Sequence, residues 1–333
     1  MKTIFLVDDN ETNLNIVEEV LKGCYRVDCF PCAAQLFSAL ETSKPHMILL
    51  DVDMPVMSGF EAMTILRGNP SYASIPVIFL TGRTDPESEA AGIELGAADF
   101  IMKPFSAPVL LNRIQHHLHV DEMIRQRTKM LTNLKNALVF TMADLVENRD
   151  RDTIGHIERT SKNLELLIVA MLEKKIYADE MRTWDVDSVV SSARLHDVGK
   201  IVISDTILNK TGPLTQSEFE TMKTHTLEGE RIIDGVIRLA GASDFLHDAK
   251  TIAASHHERW NGTGYPHGLK GREIPLMGRI VAIVDVYDAL VNERPYKKPF
   301  THEEAVGIIM MEAGKHFDPR IADVFDTINQ AFI

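Results

Sequence analysis

Five short strand-like runs, four of them apolar and one alternating, separated by stretches of helical spacing, constrain this chain more than any other feature. The runs lie at 3–7, 25–29, 47–50, 77–80 and 100–102. Between them, 13–21, 33–40, 60–66 and 87–95 place apolar residues three and four apart, the spacing of an amphipathic helix. Parallel strands need a crossover, usually a helix, so this alternation predicts an α/β doubly wound five-stranded parallel sheet. Ligands of such sheets bind beyond the carboxyl ends of the strands. Asp8, Asp9, Asp51, Thr81 and Lys103 all fall at those ends. Three converging carboxylates repel one another unless a hard cation such as Mg²⁺ sits among them.

These residues closely resemble those of the response-regulator receiver domain. The acidic pair Asp8-Asp9, the run Leu50-Asp51-Val52-Asp53-Met54-Pro55, Thr81, Phe100 and Lys103-Pro104 stand where that family places its site. The resemblance implies that Asp51 is the phosphoacceptor, that Lys103 pairs with the phosphoryl group, and that Thr81 and Phe100 move in response. A sensor histidine kinase is then the expected phosphodonor. A phosphoryl group adds a charge of about −1.5 to −2, enough to bias a two-state element.

Single cores rarely grow beyond about 250–300 residues, so 333 residues favour more than one domain. The boundaries read as a receiver at 1–120, a connecting helix at 121–146 and a third segment at 147–333. In the connector, Ile124, Leu131, Leu138 and Leu145 recur every seven positions, with Leu134 between them and no Gly or Pro. The pattern fits either a helix docked on its own domain or a coiled coil joining a homodimer. His116, His117 and His119 lack ligand-spaced carboxylates apart from Asp121 and read as a solvated helical end.

The third segment has helical periodicity throughout, at 157–172, 186–195, 218–239, 250–257, 279–290, 303–311 and 319–332. It should therefore be an all-α domain with its ligands on facing helices. At its centre is His196-Asp197, a nitrogen and a carboxylate able to serve one site, with two carboxylate oxygens able to bridge two cations. Around this pair stand His156, His225, His256-His257, Asp285 and the turn-forming run Asn261 to Pro266. The set resembles the HD-GYP family, metal-dependent cyclic-dinucleotide phosphodiesterases of the HD superfamily named for the motifs written here as His196-Asp197 and Gly264-Tyr265-Pro266.

That resemblance assigns His156, His196, Asp197 and Asp285 to one metal ion. It assigns Asp197, as bridge, with His225, His256 and His257 to a second, and Asp152 to a third where one is bound. Mixed nitrogen and oxygen donors suit iron, manganese, nickel or zinc better than calcium. It makes Lys200, Arg294 and Lys297 phosphate-binding residues, and Gly264-Tyr265-Pro266 a lip of the site. Catalysis then rests on His196, Asp197 and Lys200, with hydroxide generated at the metals and no side-chain nucleophile. Lys200 stands one turn beyond His196-Asp197 if the helix continues, and the polar run 174–180 reads as an extended loop that reshapes access to the site.

The function implied is phosphorylation-controlled hydrolysis of cyclic di-GMP to linear pGpG or GMP. Two alternatives stay open: an adaptor that binds nucleotide or other cyclic di-GMP signalling proteins without useful turnover, and a hydrolase of another nucleotide such as cyclic GMP-AMP or an alarmone. The net charge of −13, without a basic recognition helix, argues against DNA. There is no apolar run of about 18 residues to cross a membrane and no signal-peptide pattern at the start, so a cytoplasmic protein is expected. Cys24, Cys29 and Cys32 read as ordinary reduced thiols, and His247, His267, His302 and His316 as structural or surface residues.

Overall fold

The structure, a computed structural model, describes residues 1–82, 86–149, 155–292 and 298–332, without the side chains of 86–89. It divides into two compact units, Met1–Leu131 and Thr132–Ile333.

The first unit contains the expected sheet. Strands β1 (Thr3–Val7), β2 (Arg26–Phe30), β3 (Met47–Asp51), β4 (Val77–Thr81) and β5 (Asp99–Met102) are all parallel, in the order β2-β1-β3-β4-β5. Helices α1 (Glu11–Leu21), α2 (Ala33–Thr42), α3 (Gly59–Gly68) and α4 (Pro86–Glu94) connect them. Side chains alternate across a strand, so each strand feeds two cores. Phe5, Val7, Ile48 and Phe79 pack with Leu36 and Leu66 on one face. Ile4, Leu6, Leu49 and Ile101 pack with Leu14 and Val17 on the other, which also receives Leu110, Ile114 and Leu118.

Those last three residues belong to α5 (Ala107–Glu147), one helix of 41 residues that starts well before the expected connector. Its Val139, Ala143 and Val146 are buried, whereas Ile124, Leu131, Leu134, Leu138 and Leu145 are exposed. The heptad face is thus not the docked one. His117 has a structural partner that the sequence reading overlooked: its Nε2 lies 3.0 Å from Asp99 Oδ2, a carboxylate also held by Arg113.

The second unit is all-α, as expected. It comprises α6 (His156–Glu173), α7 (Ala178–Met181), α8 (Val186–Ala193), a 3₁₀ turn (Val198–Val202), α9 (Asp205–Leu208), α10 (Gln216–Lys223), α11 (His225–Ala240), α12 (Asp244–Ser255), α13 (Leu276–Val291), α14 (His302–Met311) and α15 (Pro319–Ile328). Helix α13 is apolar nearly all round and forms the centre of the core through Ile280, Ile283, Val284 and Tyr287.

Three local expectations are corrected. The helix read over 218–239 is broken at Thr224, because three successive side chains take the carbonyls at the end of α10. Thr224 Oγ1 donates to Thr221 O, His225 Nδ1 to Met222 O, and Thr226 Oγ1 to Lys223 O. The run 174–180 is not an extended loop. Lys175 and Tyr177 adopt left-handed backbone, the chain turns into α7, and Tyr177 is buried with its hydroxyl donating to Asp318 Oδ2 at 2.9 Å. A helix running through His196-Asp197 to Lys200 is also not formed: α8 ends at Ala193, before the pair, and a 3₁₀ turn from Val198 follows it.

Candidate metal centre

In the first unit the acidic residues converge at the ends of β1 and β3. Asp8 and Asp51 are buried and Asp9 is exposed, and one oxygen from each lies within 4.8 Å of the others. Lys103 places Nζ 2.6 Å from Asp8 Oδ2 and 3.0 Å from Asp51 Oδ1. Burial raises the pKa of Asp51, with Lys103 opposing the shift, so further positive charge is favoured there. Thr81 is buried as the last residue of β4. The Phe100 ring lies 5.0 Å from Phe79 and fills the space above Gly92, where a Cβ would approach its Cζ to 2.1 Å.

In the second unit, helix ends supply most of the predicted ligands. His156 and His225 are the first residues of α6 and α11, His256 and His257 follow the last residue of α12, and Asp285 projects from the middle of α13. His196 and Asp197 occupy the turn after α8. That turn lies flush on α11. A Cβ on Gly199 would sit 1.9 Å from His225 O and 2.4 Å from Gly229 N, so only glycine allows the approach that brings His225 to Asp197.

The residues form two clusters that share one carboxylate. His156 Nε2 lies 3.4 Å from His196 Nε2 and 3.5 Å from Asp285 Oδ1, and Asp197 Oδ2 is 3.4 Å from His196 Nε2. Asp197 Oδ1 faces the other way, 3.3 Å from His225 Nε2 and 3.7 Å from His256 Nε2, and His257 completes that group.

Hydrogen bonds at the far nitrogens fix the rings. His196 Nδ1 donates to Ala193 O, His225 Nδ1 to Met222 O, and His256 Nδ1 to Ile252 O and Ala253 O. Carbonyls only accept, so Nδ1 carries the proton and Nε2 is turned inward as a donor atom for a cation. Asp197 Oδ1 is buried with no hydrogen-bond donor among the described residues. A buried carboxylate oxygen facing imidazole nitrogens fits a divalent cation, and the donor set suits a transition metal.

The electrostatics agree. Burial lowers His225 to about 4 and His257 well below its usual value, so both imidazoles are neutral at physiological pH, the state a metal ligand requires. Burial alone would also lower His196, but Asp197 and Asp285 outweigh it and push the imidazole up to about 9. Burial would raise Asp197, yet Lys200 and His196 hold it well below the carboxylate range. Without a cation, protonated His196 supplies positive charge beside Asp197, and a metal binding at its Nε2 must displace that proton.

A cavity of about 470 Å³ opens over the clusters, within the range of small-molecule sites. It is lined by His156, Asp197, His225, His257 and Asp285, by Lys200 and Tyr265, and by the apolar Ile207, Leu208, Leu214 and Met222. Lys200 Nζ lies 2.8 Å from Asp197 Oδ2. The Tyr265 ring packs 4.8 Å from that of His257, and burial raises its phenol pKa, keeping it neutral. Gly264 presses against the chain, where a Cβ would come within 2.5 Å of Glu258 Cα. Pro266 follows Tyr265 in the same loop. Asp152, Arg294 and Lys297 lie outside the described residues.

Several supporting residues escaped the sequence reading. Asp288 accepts from His156 Nδ1 at 2.7 Å and is itself held by Arg159. Its position three residues after Asp285, on the same face of α13, was the available signal. Glu258, directly after His257, is 2% exposed and accepts the backbone N–H groups of His267, Gly268 and Leu269, tying down the Gly264-Tyr265-Pro266 loop. His316 stacks on Phe317 and His302 accepts from Tyr287, in keeping with structural roles. Partners that orient a ligating imidazole typically contribute about 10–100-fold in metal affinity. Asp288→Ala is therefore expected to weaken Mn²⁺ binding by about 10-fold or more, read by calorimetric titration. Unchanged affinity would show that His156 needs no carboxylate to set its ring.

A receiver pocket and a helical dinuclear-type ligand set in one chain define a response regulator with an HD-type output domain. Residues 4–115 match the response regulator receiver domain family, and residues 140–321 the HD domain family. A Vibrio cholerae protein named "Probable cyclic di-GMP phosphodiesterase" is 39% identical, over 99% of this chain and 78% of its own length. The "Cyclic di-GMP phosphodiesterase response regulator RpfG" of Xanthomonas campestris is 33% identical over 96% of this chain and 86% of its own. A Thermotoga maritima "Cyclic di-GMP phosphodiesterase" is 35% identical over 97% and 89%. The chain belongs to this family, response regulators that join a receiver to an HD-GYP domain. No helix among the described residues is long and apolar enough to cross a membrane.

Proposed function

We propose that the chain is a cytoplasmic response regulator in which phosphoryl transfer from a sensor histidine kinase to Asp51 controls a phosphodiesterase acting on cyclic di-GMP, with linear pGpG and/or GMP as product. The observation that carries the reading is Asp197, whose two carboxylate oxygens, Oδ1 of them buried, face separate histidine clusters lining a nucleotide-sized cavity. The substrate class follows the names of the full-length relatives.

His156, His196, Asp197 and Asp285 would hold one divalent transition ion, and Asp197, His225, His256 and His257 a second, with iron, manganese, nickel and zinc all compatible with these donors. Bound there, such ions supply charge neutralisation at the phosphodiester and a water acidic enough to ionise near neutral pH. The protein's own groups position the reaction. The Nδ1 hydrogen bonds fix the histidine rings, Lys200 brings an ammonium to the cavity wall for a phosphate oxygen, and neutral Tyr265 closes the rim beside His257. Asp152 is the candidate for a third ion, and Arg294 and Lys297 for further phosphate contacts. Mg²⁺ at Asp8, Asp9 and Asp51 would orient the phosphodonor, with Lys103 neutralising the product and Thr81 and Phe100 responding to it. The exposed heptad residues of α5 suit pairing with a second copy, and other cyclic di-GMP signalling proteins are candidate partners.

The test is turnover by the full chain, prepared anaerobically and loaded with iron or manganese, with and without beryllofluoride on Asp51. A higher kcat/KM for cyclic di-GMP than for cyclic GMP-AMP is expected, with a rate that changes when Asp51 is modified. The reverse preference would change the substrate assignment, and binding without turnover would make the protein an adaptor. Sedimentation of the same preparation as a monomer alone would remove the second copy.

A further inference from the structure

Helix α6 carries His156 at its first position, yet its own N-cap cannot serve it. The cap residue is Gly155, in left-handed backbone (φ 73°), with no side chain to accept from the first N–H groups. Those donors are normally satisfied by a Ser, Thr, Asp or Asn immediately before the helix. Here the acceptor comes from another helix. Glu147, the last residue of α5, is 9% exposed, and its Oε1 accepts from the backbone N–H of His156 at 2.7 Å, with the Ile157 N–H on the same carboxylate. Burying a carboxylate costs free energy, and two backbone donors at a helix N-terminus, where the dipole favours negative charge, offset it.

The same end of α5 also holds the segment after His196-Asp197. Arg149 donates from Nη1 to Ile201 O at 2.6 Å and from Nη2 to Ile203 O at 3.1 Å, and pairs with Asp205 at 2.7 Å. Asn209 Nδ2 donates back to Arg149 O at 3.0 Å. The end of α5 thus fastens two of the three chain segments that supply the first cluster, the third being α13 with Asp285, while His225, His256 and His257 come from helices it does not cap.

We infer that Glu147 is a positioning residue of the metal centre: its carboxylate replaces the missing cap of α6 and so sets where His156 presents Nε2 to the first ion. The inference rests on reading His156 as a ligand. Since α5 is one helix from Ala107, this residue ends the element whose first turns pack in the receiver core.

The test uses the full chain with Mn²⁺ as probe and compares Glu147→Ala with Glu147→Gln, whose amide oxygen can still accept the two N–H bonds. In Glu147→Ala, one of the two Mn²⁺ ions is expected to bind about 10-fold or more weakly, with the second unaffected. Hydrogen exchange at the His156 and Ile157 amides should accelerate by a similar factor, and Glu147→Gln should restore both readouts to within about 3-fold, as a neutral cap acceptor does. Wild-type stoichiometry and protection in Glu147→Ala would overturn the inference. So would loss of both ions together in Glu147→Gln, which would assign the residue to general folding. The amide exchange reports on the cap without substrate or metal, so a failure of the phosphodiesterase reading is seen separately, as absent turnover in a protein with intact protection.

Discussion

Asp197→Ala is expected to lower cyclic di-GMP turnover by on the order of 10³-fold or more, equivalent to about 4 kcal/mol of transition-state stabilisation. The size of the effect follows from sharing. Removing His156 or His257 leaves one cluster with a full complement of its other donors, whereas Asp197 serves both, through Oδ2 near His196 and Oδ1 near His225 and His256. Metal analysis of the purified variant should therefore show both ions depleted. Phosphorylation of Asp51 by acetyl phosphate should proceed as in wild type, because Asp8, Asp51 and Lys103 form a separate site in the other unit. A variant that kept one tightly bound ion and a substantial rate would contradict the shared carboxylate, and with it the two-cluster reading of this site.

The parts of the molecule legible in the sequence were those where a local rule and a chemical type coincide. Asp51 and Thr81 end unbroken apolar runs, so strand, strand end and polar residue could be read together. His196-Asp197 and the later histidines were legible as a resemblance in order and type, and the fold brings His156, His196 and Asp285 into one cluster and His225, His256 and His257 into another around Asp197. What stayed hidden was set by tertiary contact. Glu147 is one acid at the end of a long polar helix, and nothing local marks it as the cap for a helix that begins nine residues later. Asp288 offered only its spacing of three from Asp285, and its partner His156 is fixed once α13 is laid against α6. The break at Thr224 depends on side chains turning back to backbone carbonyls, a competition with helix formation that periodicity does not register. Whether the helix continued to Lys200 was left open by periodicity, and the segment is a 3₁₀ turn in which Gly199 packs against the backbone of α11.

The second large effect is expected on stability, away from the metal centre. Asp318→Ala should destabilise the helical unit by about 3–5 kcal/mol, the cost of leaving a buried charge without its partner. Arg279 is 4% exposed and Asp318 is 1% exposed, with Nη1 and Oδ2 2.8 Å apart. The same oxygen accepts from Tyr177 at 2.9 Å, and Oδ1 caps α15 through Arg320 N–H, also at 2.9 Å. One carboxylate thus joins α13, the turn before α7 and the start of α15. For a unit of this size the change corresponds to a fall in Tm of roughly 10 °C. A graded series separates the contributions. Tyr177→Phe removes one hydrogen bond while keeping the ring, and should cost about 1 kcal/mol. Asp318→Asn keeps the cap but leaves Arg279 with only the longer 3.5 Å contact to Glu180 as an anionic partner, and should fall between the two. Urea unfolding followed by helical circular dichroism measures all three. If Asp318→Ala cost less than Tyr177→Phe, Arg279 would have to find another acceptor, most directly Glu180, whose Oε2 already lies 3.5 Å from its Nη2. The double variant Asp318→Ala/Glu180→Ala would then restore the full loss, because no carboxylate among the described residues would remain paired with a guanidinium that the core encloses.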